Sequence, residues 1–353
     1  MPGLRLLTAK TVGAAAAVVV VLGALAVAGV VALVPKPAPV TPAPVTPAPV
    51  TLAPPKPPPG SSLVPPSTYF PHSVFNSTVT GWPVASGSSG LVADFVSDYQ
   101  TDYGVVDLTT QPLYWVPADQ PGVAMSVRPG CNDFLASTGA TVPVPSALVQ
   151  LNGSGDDPLT LYQPSSGFEW EFWQAQEDSP TQWLACWGGK MRMATSTGVF
   201  PAGYGRSATG ISELATMITE ADVESGTIDH ALGVTLPRCN SWVYPADRGD
   251  CGADPGQPSE GQWFRFPAGL SCPPRQCTTP LASMVFRAIQ EHGMVVTDQG
   301  GGVTIAAEQS QDWTAEGHAG TDPITAALQG QDPYTTLTQL PWAQLQVVTP
   351  PPA

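Results

Sequence analysis

The chain has 353 residues, 28 of them Asp or Glu and 13 Lys or Arg, for a formal net charge of −15. An acidic balance of this size excludes a surface built to neutralise phosphates or anionic lipid headgroups, which needs clustered Lys and Arg, so nucleic acid is not an expected partner. It also disfavours polyanionic substrates and leaves neutral glycans or peptides as the better fit.

The first element is an uncharged apolar run over residues 11–34, preceded by Arg5 and Lys10 in the short end 1–10. A helix of that length rises about 36 Å, enough to cross a hydrocarbon core of about 30 Å with some tilt. The positive-inside bias keeps 1–10 cytoplasmic and everything after Val34 outside, so the membrane is an expected partner through this single N-terminal transmembrane helix. A cleaved signal sequence is the alternative, because Ala26-Val27-Ala28 offers a cleavage site; both readings give export. Residues 35–66 carry PAPVT three times over 37–51. With so much proline and so few aromatics the segment cannot bury a core, and it is expected to be an extended polyproline II stalk reaching at most about 100 Å.

Residues 67–353 hold no long Pro or Gly linker and read as one extracytoplasmic domain. All six cysteines lie there, as expected for disulfides in an oxidising compartment; proximity favours Cys131 with Cys186, Cys239 with Cys251 and Cys272 with Cys277. CxxC is absent and CPPRQC has no histidines beside it, so neither a metal nor another cofactor is expected.

Short apolar runs between turn residues predict strands at 104–108, 113–116, 123–127 and 147–151. Residues 158–162 and 168–174 flank Gln163-Pro164-Ser165-Ser166-Gly167 and are expected to pair as a hairpin. A helical turn is expected over 212–218, then a short helix over 221–224 capped by Thr219 and stopped by Gly226, then a strand over 227–236. Over 281–292 the apolar positions Leu281, Met284, Val285, Ala288 and Ile289 share one helical face, with Thr279 as cap, Pro280 in the first turn and Gly293 as stop. Residues 294–298 and 303–307 flank Gln299-Gly300-Gly301-Gly302 as a second hairpin. The balance predicts an all-β chain, a jelly-roll or concanavalin-like sandwich with a few short helices.

Within Phe168-Glu169-Trp170-Glu171-Phe172-Trp173 the two-residue strand period puts Glu169, Glu171 and Trp173 on one face. Alternate Cα atoms lie about 6.6 Å apart, within the range of carboxyl separations that glycoside hydrolysis uses. Glu171 and Glu169 are therefore candidate acid and base or nucleophile, with Trp173 as a stacking platform for a sugar ring; the alternative is two glutamates facing water. His230 alternates with Ile228, which suggests a core histidine, but beside Glu171 it would serve as acid–base partner. Arg206 is a candidate substrate-binding residue. Asp156 and Asp157 lack the spacing of a calcium loop and read as a turn. Asn76-Ser77-Thr78 and Asn152-Gly153-Ser154 match the glycosylation triplet, and no HExxH or G-x-S-x-G motif occurs.

Five blocks in order, Glu171-Phe172-Trp173, 204–211, 225–232, 261–266 and 292–298, resemble a group of exported bacterial proteins. The similarity extends over residues 156–348. It implies a β-sandwich of the concanavalin or jelly-roll type in which the E-F-W and G-T-I-D-H-A-L segments belong to one constellation, and it brings no established reaction. The glucanase pattern E-x-D-x-x-E of such sandwiches is only half met, since Glu171 stands where Asp is expected and the last carboxylate is missing. A polysaccharide lyase would need a base such as His230 and cations such as Arg192 and Arg206 to neutralise a uronate, against the charge deficit. Three functions follow as expectations: a cell-surface carbohydrate-active protein cleaving an envelope or environmental glycan, a non-catalytic glycan- or protein-binding domain on the same stalk, or a structural envelope protein.

Overall fold

Apolar runs in this chain are short and broken by turn residues, and the strands they form hold two to six residues. The computed structural model describes residues 65–101, 104–107, 111–145, 148, 155–201 and 203–350. The expected membrane segment, residues 35–64 of the expected stalk, Asn152, and most of the strand expected at 147–151 lie outside the described residues; the last stalk residue, Pro66, is not extended but starts the helical turn Pro66–Tyr69. Among the described residues, no helix is long and apolar enough to cross a membrane.

In chain order the strands are β1 Val105–Asp107, β2 Leu113–Trp115, β3 Val123–Val127, β4 Thr141–Val142, β5 Leu159–Gln163, β6 Phe168–Trp173, β7 Gln176–Ser179 and β8 Gln182–Ala185. There follow β9 Trp187–Arg192, β10 Leu232–Leu236, β11 Asn240–Trp242, β12 Ser259–Glu260, β13 Trp263–Arg265, β14 Met294–Gln299, β15 Thr304–Ala306 and β16 Gln346–Val348. They make a six-stranded sheet in the order β1-β15-β10-β14-β13-β16, two four-stranded sheets, β2-β5-β6-β9 and β4-β3-β8-β7, and the pair β11-β12.

Strand alternation stacks these sheets in layers. Met294 and Val296 of β14 pack with Leu281, Val285 and Ile289 of helix Pro280–Glu291 and with Phe95 of helix Ser88–Thr101, while Val295 joins Trp263 and Val348 on the opposite face. That second face shares a core with Leu113, Tyr162 and Met191 of the β2-β5-β6-β9 sheet. The other side of that sheet, through Tyr114, Leu161, Trp170 and Phe172, closes on Met125, Trp183 and Ala185 of β3 and β8. The order is helices, six-stranded sheet, four-stranded sheet, four-stranded sheet. Each fully buried large apolar side chain contributes about 1.5–3 kcal/mol.

The chain is sheet-rich with short helices, as expected, but its sheets are mixed. Parallel pairs join β1 to β15, β10 to β14, β2 to β5, β3 to β8 and β11 to β12, whereas jelly rolls are antiparallel. The β5–β6 hairpin forms with Gln163 opposite Phe168. Helix Pro280–Glu291 begins as read, with Thr279 Oγ1 accepting the Ala282 N–H at 3.0 Å. Helix Glu220–Ser225 is capped by Thr219 and ends at Gly226, φ 81°. The expected turn over 212–218 is one hydrogen-bonded turn, Met217 N–H to Glu213 O at 2.7 Å, without a helix.

Two expectations change. The segments around Gln299-Gly300-Gly301-Gly302 do not pair with each other: β10 lies between β14 and β15, parallel to one and antiparallel to the other. Four of the five β10 residues are buried, so its backbone groups need partners on both sides. The expected strand over 227–236 starts only at Leu232, because the chain leaves Gly226 in a left-handed conformation and turns first. All three favoured disulfides form: Cys131–Cys186, Cys239–Cys251 and Cys272–Cys277.

Candidate functional site

The site begins at β6. Trp170 and Phe172 enter the outer core, and Glu169 and Glu171 point the other way, towards a segment whose Ile211, Leu214 and Met217 belong to the inter-sheet core. Gly189 on β9, opposite Glu171, lets this segment come close: a Cβ there would lie 2.4 Å from Gly205 N and 2.7 Å from Phe200 Cδ1. The segment seals both glutamates, each 0% exposed. Ser212 Oγ donates to Glu169 Oε1 at 2.8 Å, and the Glu213 N–H donates to Glu171 Oε1 at 2.6 Å.

Burial first, then the Glu171 charge, raises the Glu169 pKa well above the usual carboxylate range. Burial also raises that of Glu171, against the opposing charge of Arg206 and the hydrogen bond it shares with Glu169. No fixed donor reaches Glu169 Oε2. A proton kept on Glu169 and shared with Glu171 supplies one, so the pair carries a single negative charge. In front of it Arg206 bonds Glu213 at 2.8 Å and Gln111 Oε1. Burial alone would lower the Arg206 pKa, but the charges of Glu213, Glu171 and Asp298 raise it, so the guanidinium stays charged.

Arg206 and Glu213 form part of the wall of a cleft of about 750 Å³, which Trp173, Trp187, Arg248, Asp250 and Asp298 also line. Trp173 is set by its Nε1–H donating to Asp156 Oδ1 at 3.1 Å, and Trp187 is stacked on Tyr204 with ring centroids 5.8 Å apart. The Cys131–Cys186 disulfide holds the rim beside them. At the other end, Asp298, next to last in β14, accepts the Gln299 N–H at 2.8 Å. Burial, then Asp250, pushes its pKa to about 7. Burial likewise pushes that of Glu260 on β12 to about 8. Arg248 bonds Asp247 at 3.1 Å and Ser207 O at 2.9 Å.

Of the residues singled out from sequence, Trp173 and Arg206 line the cleft, and Glu169 and Glu171 lie behind Arg206 without reaching it. His230 lies elsewhere. It is wholly buried, with Nε2 3.2 Å from Asp222 Oδ2 and Nδ1 2.9 Å from Ala231 O. Burial lowers its pKa, but Asp222 and the Ala231 carbonyl more than offset this and hold it above the ordinary histidine value. Among the described residues no hydrogen bond or ion pair joins His230 to Glu171, so the two do not act as acid–base partners. Asp156 serves Trp173, and Asn76 spends its Nδ2 on Ser67 O and Phe70 O.

Sequence reasoning passed over Trp187, Glu213, Arg248, Asp250, Glu260 and Asp298. One signal was available: Asp298 ends the run Met294-Val295-Val296-Thr297, where a carboxylate closing a buried strand is out of place unless it faces a cleft. The chain matches no protein-family model, and it has no match among curated proteins or solved structures. What the cleft does therefore has to be read from its own geometry.

Proposed function

We propose that this chain is a cell-surface carbohydrate-active protein that holds a glycan in the cleft between Trp173 and Asp298. The observation that carries this reading is the placement of the Trp173 and Trp187 indoles, each fixed by its own partner, in one cleft with Arg206, Arg248 and Asp298. A sugar ring has an apolar C–H face and a rim of hydroxyls; flat indoles suit the first, and fixed charged donors and acceptors suit the second. The net charge of −15 supports an uncharged ligand over nucleic acid or a polyanion.

Binding is favoured over cleavage by one observation: Glu169 and Glu171, the carboxylates spaced for glycoside hydrolysis, are sealed behind Arg206 and Glu213. Their role is to position the Arg206 segment. Export by the apolar run at 11–34, retained as an anchor or cleaved, sets the ligand as an envelope or nearby environmental glycan. The three disulfides fit that compartment, and the similarity to exported bacterial proteins belongs to the same reading. A jelly-roll or concanavalin-like architecture is not carried forward, because of the parallel pairs.

The test is retention of a panel of neutral and envelope glycans by the full chain, purified in detergent and immobilised, with product analysis for new reducing or unsaturated ends. Retention without new ends is expected. Trp173→Ala and Trp187→Ala should each weaken it about tenfold, a loss of about 1.4 kcal/mol. New ends that vanish in Glu171→Gln would restore the cleavage reading. Failure to retain any glycan would leave a structural envelope protein.

A further inference from the structure

The acidic end of the cleft, which Asp298 marks, has a second feature. Asp250, Glu260 and Asp298 each offer a carboxylate oxygen, and the three atoms lie within 4.8 Å of one another. Two oxygens on opposite sides of a Ca2+ ion are about 4.6–5.2 Å apart, from bond lengths of about 2.3–2.6 Å, so all three fit on one coordination sphere. Among the described residues none of the three forms an ion pair with Lys, Arg or His. The two nearby guanidinium groups are occupied, Arg206 by Glu213 and Gln111, and Arg248 by Asp247 and the Ser207 carbonyl.

A second observation, separate from the clustering, points to a ligand. Glu260 is 0% exposed, its Oε2 receives the N–H groups of Asp250 at 3.1 Å and Cys251 at 3.4 Å, and its Oε1 is buried with no hydrogen-bond partner. The loop is shaped around this carboxylate: a Cβ at Gly249 would lie 2.0 Å from Glu260 Oε2, and Cys251 is tied to Cys239. A buried carboxylate with one oxygen lacking any donor, in a group clustered with two further carboxylates, lacks a positive partner. Asp250 and Asp298 line the cleft, so an ion can enter from that side.

We infer that Asp250, Glu260 and Asp298 form a divalent-cation site, built for Ca2+, at the acidic end of the cleft. The ligands are hard oxygens only, which suits calcium over zinc or copper, and calcium accepts the irregular geometry that two strands and one loop supply. Carbonyl oxygens and water complete its shell in such sites. The site does not depend on glycan binding and is measured without any glycan present.

The full chain, stripped with chelator and dialysed, is titrated with CaCl2 by calorimetry, and with Tb3+ while indole-sensitised luminescence is followed. One saturable site per chain is expected, with a Kd on the order of 10⁻⁴–10⁻³ M, as in other extracellular modules. Asp298→Asn and Asp250→Asn, both at the cleft surface, should weaken it about tenfold or more, a loss of at least about 1.4 kcal/mol. Glu260→Gln should do the same while retaining its backbone hydrogen bonds. Asp119→Asn, at an exposed position outside the cluster, should bind as the unaltered chain does. The inference is overturned if the unaltered chain takes up no calcium, which would mean that protons alone hold the cluster together. It also fails if Asp250→Asn and Asp298→Asn bind undiminished, or if Asp119→Asn weakens uptake equally, as diffuse binding to an acidic surface would.

Discussion

Glu169 accepts the Ser212 hydroxyl through one oxygen and finds no fixed donor for the other, in a layer that excludes water. It stays there by keeping a proton and giving it to Glu171. The neutral isostere should therefore be tolerated: Glu169→Gln keeps an N–H donor towards Glu171 and a carbonyl acceptor for Ser212, and should cost under about 1 kcal/mol. Glu169→Ala removes both and leaves the Glu171 charge and the Ser212 hydroxyl without partners, a loss of about 3–5 kcal/mol. Urea unfolding of the two variants separates these outcomes, and equal losses would mean that both glutamates are ionised. The shared face of Glu169 and Glu171 was legible in the period of β6. Their burial was not, because the residues that cover them come from a segment about forty positions later, and nothing in a strand's own sequence states what will lie on it. His230 shows the reverse case: the core reading holds, with His230 and Ile228 both buried, although the strand it was read on starts only at Leu232.

At the scale of elements, the best-read piece was helix Pro280–Glu291, where period, cap and stop agree. Thr279 caps it and also shares a hydroxyl hydrogen bond with Thr336 at 2.9 Å, so Thr279→Ala should destabilise the fold by about 1–2 kcal/mol and Thr279→Ser should recover most of that. Thermal unfolding of the pair checks it; equal melting temperatures for the alanine and serine variants would deny the cap its role. Helix Ser88–Thr101 went unread although Leu91, Val92, Phe95, Val96 and Tyr99 lie along one side of it. Its start, Ser88-Ser89-Gly90, is turn-like chemistry, and the surrounding short apolar runs favour a strand reading. The insertion of β10 between β14 and β15 has no local signal either. Local sequence shows that Leu232–Leu236 needs two neighbours, and only the assembled sheet decides which.

At the scale of the molecule, acidic groups also join the sheets. β2 is an edge strand, and its outward N–H groups are taken by carboxylates: Leu113 N–H by Asp312 Oδ2 and Trp115 N–H by Glu316 Oε1, both at 2.8 Å. This closes the edge against further strand pairing. Behind these lie Glu220 and Glu308, with the Glu220 N–H donating to Glu308 Oε2 at 2.9 Å and one buried oxygen of each without a partner. Burial and then neighbouring carboxylates push the Glu220 pKa to about 9 and raise that of Glu308 well above the ordinary range. Unfolded, both ionise near 4.5. Between those values the unfolded chain has released protons that the fold retains, so it binds fewer of them and stability falls as pH rises. Their contribution is complete below about pH 4.5 and, for Glu220, is lost as pH climbs through about 9. Melting temperatures at a series of pH values should therefore decline from mildly acidic to alkaline solution. Glu308→Gln, which keeps the acceptor for the Glu220 N–H but has no proton to lose, should flatten that decline. A slope unchanged by the substitution would place the ionised form of Glu308 in the native state and move the origin of the decline to the overall charge of −15.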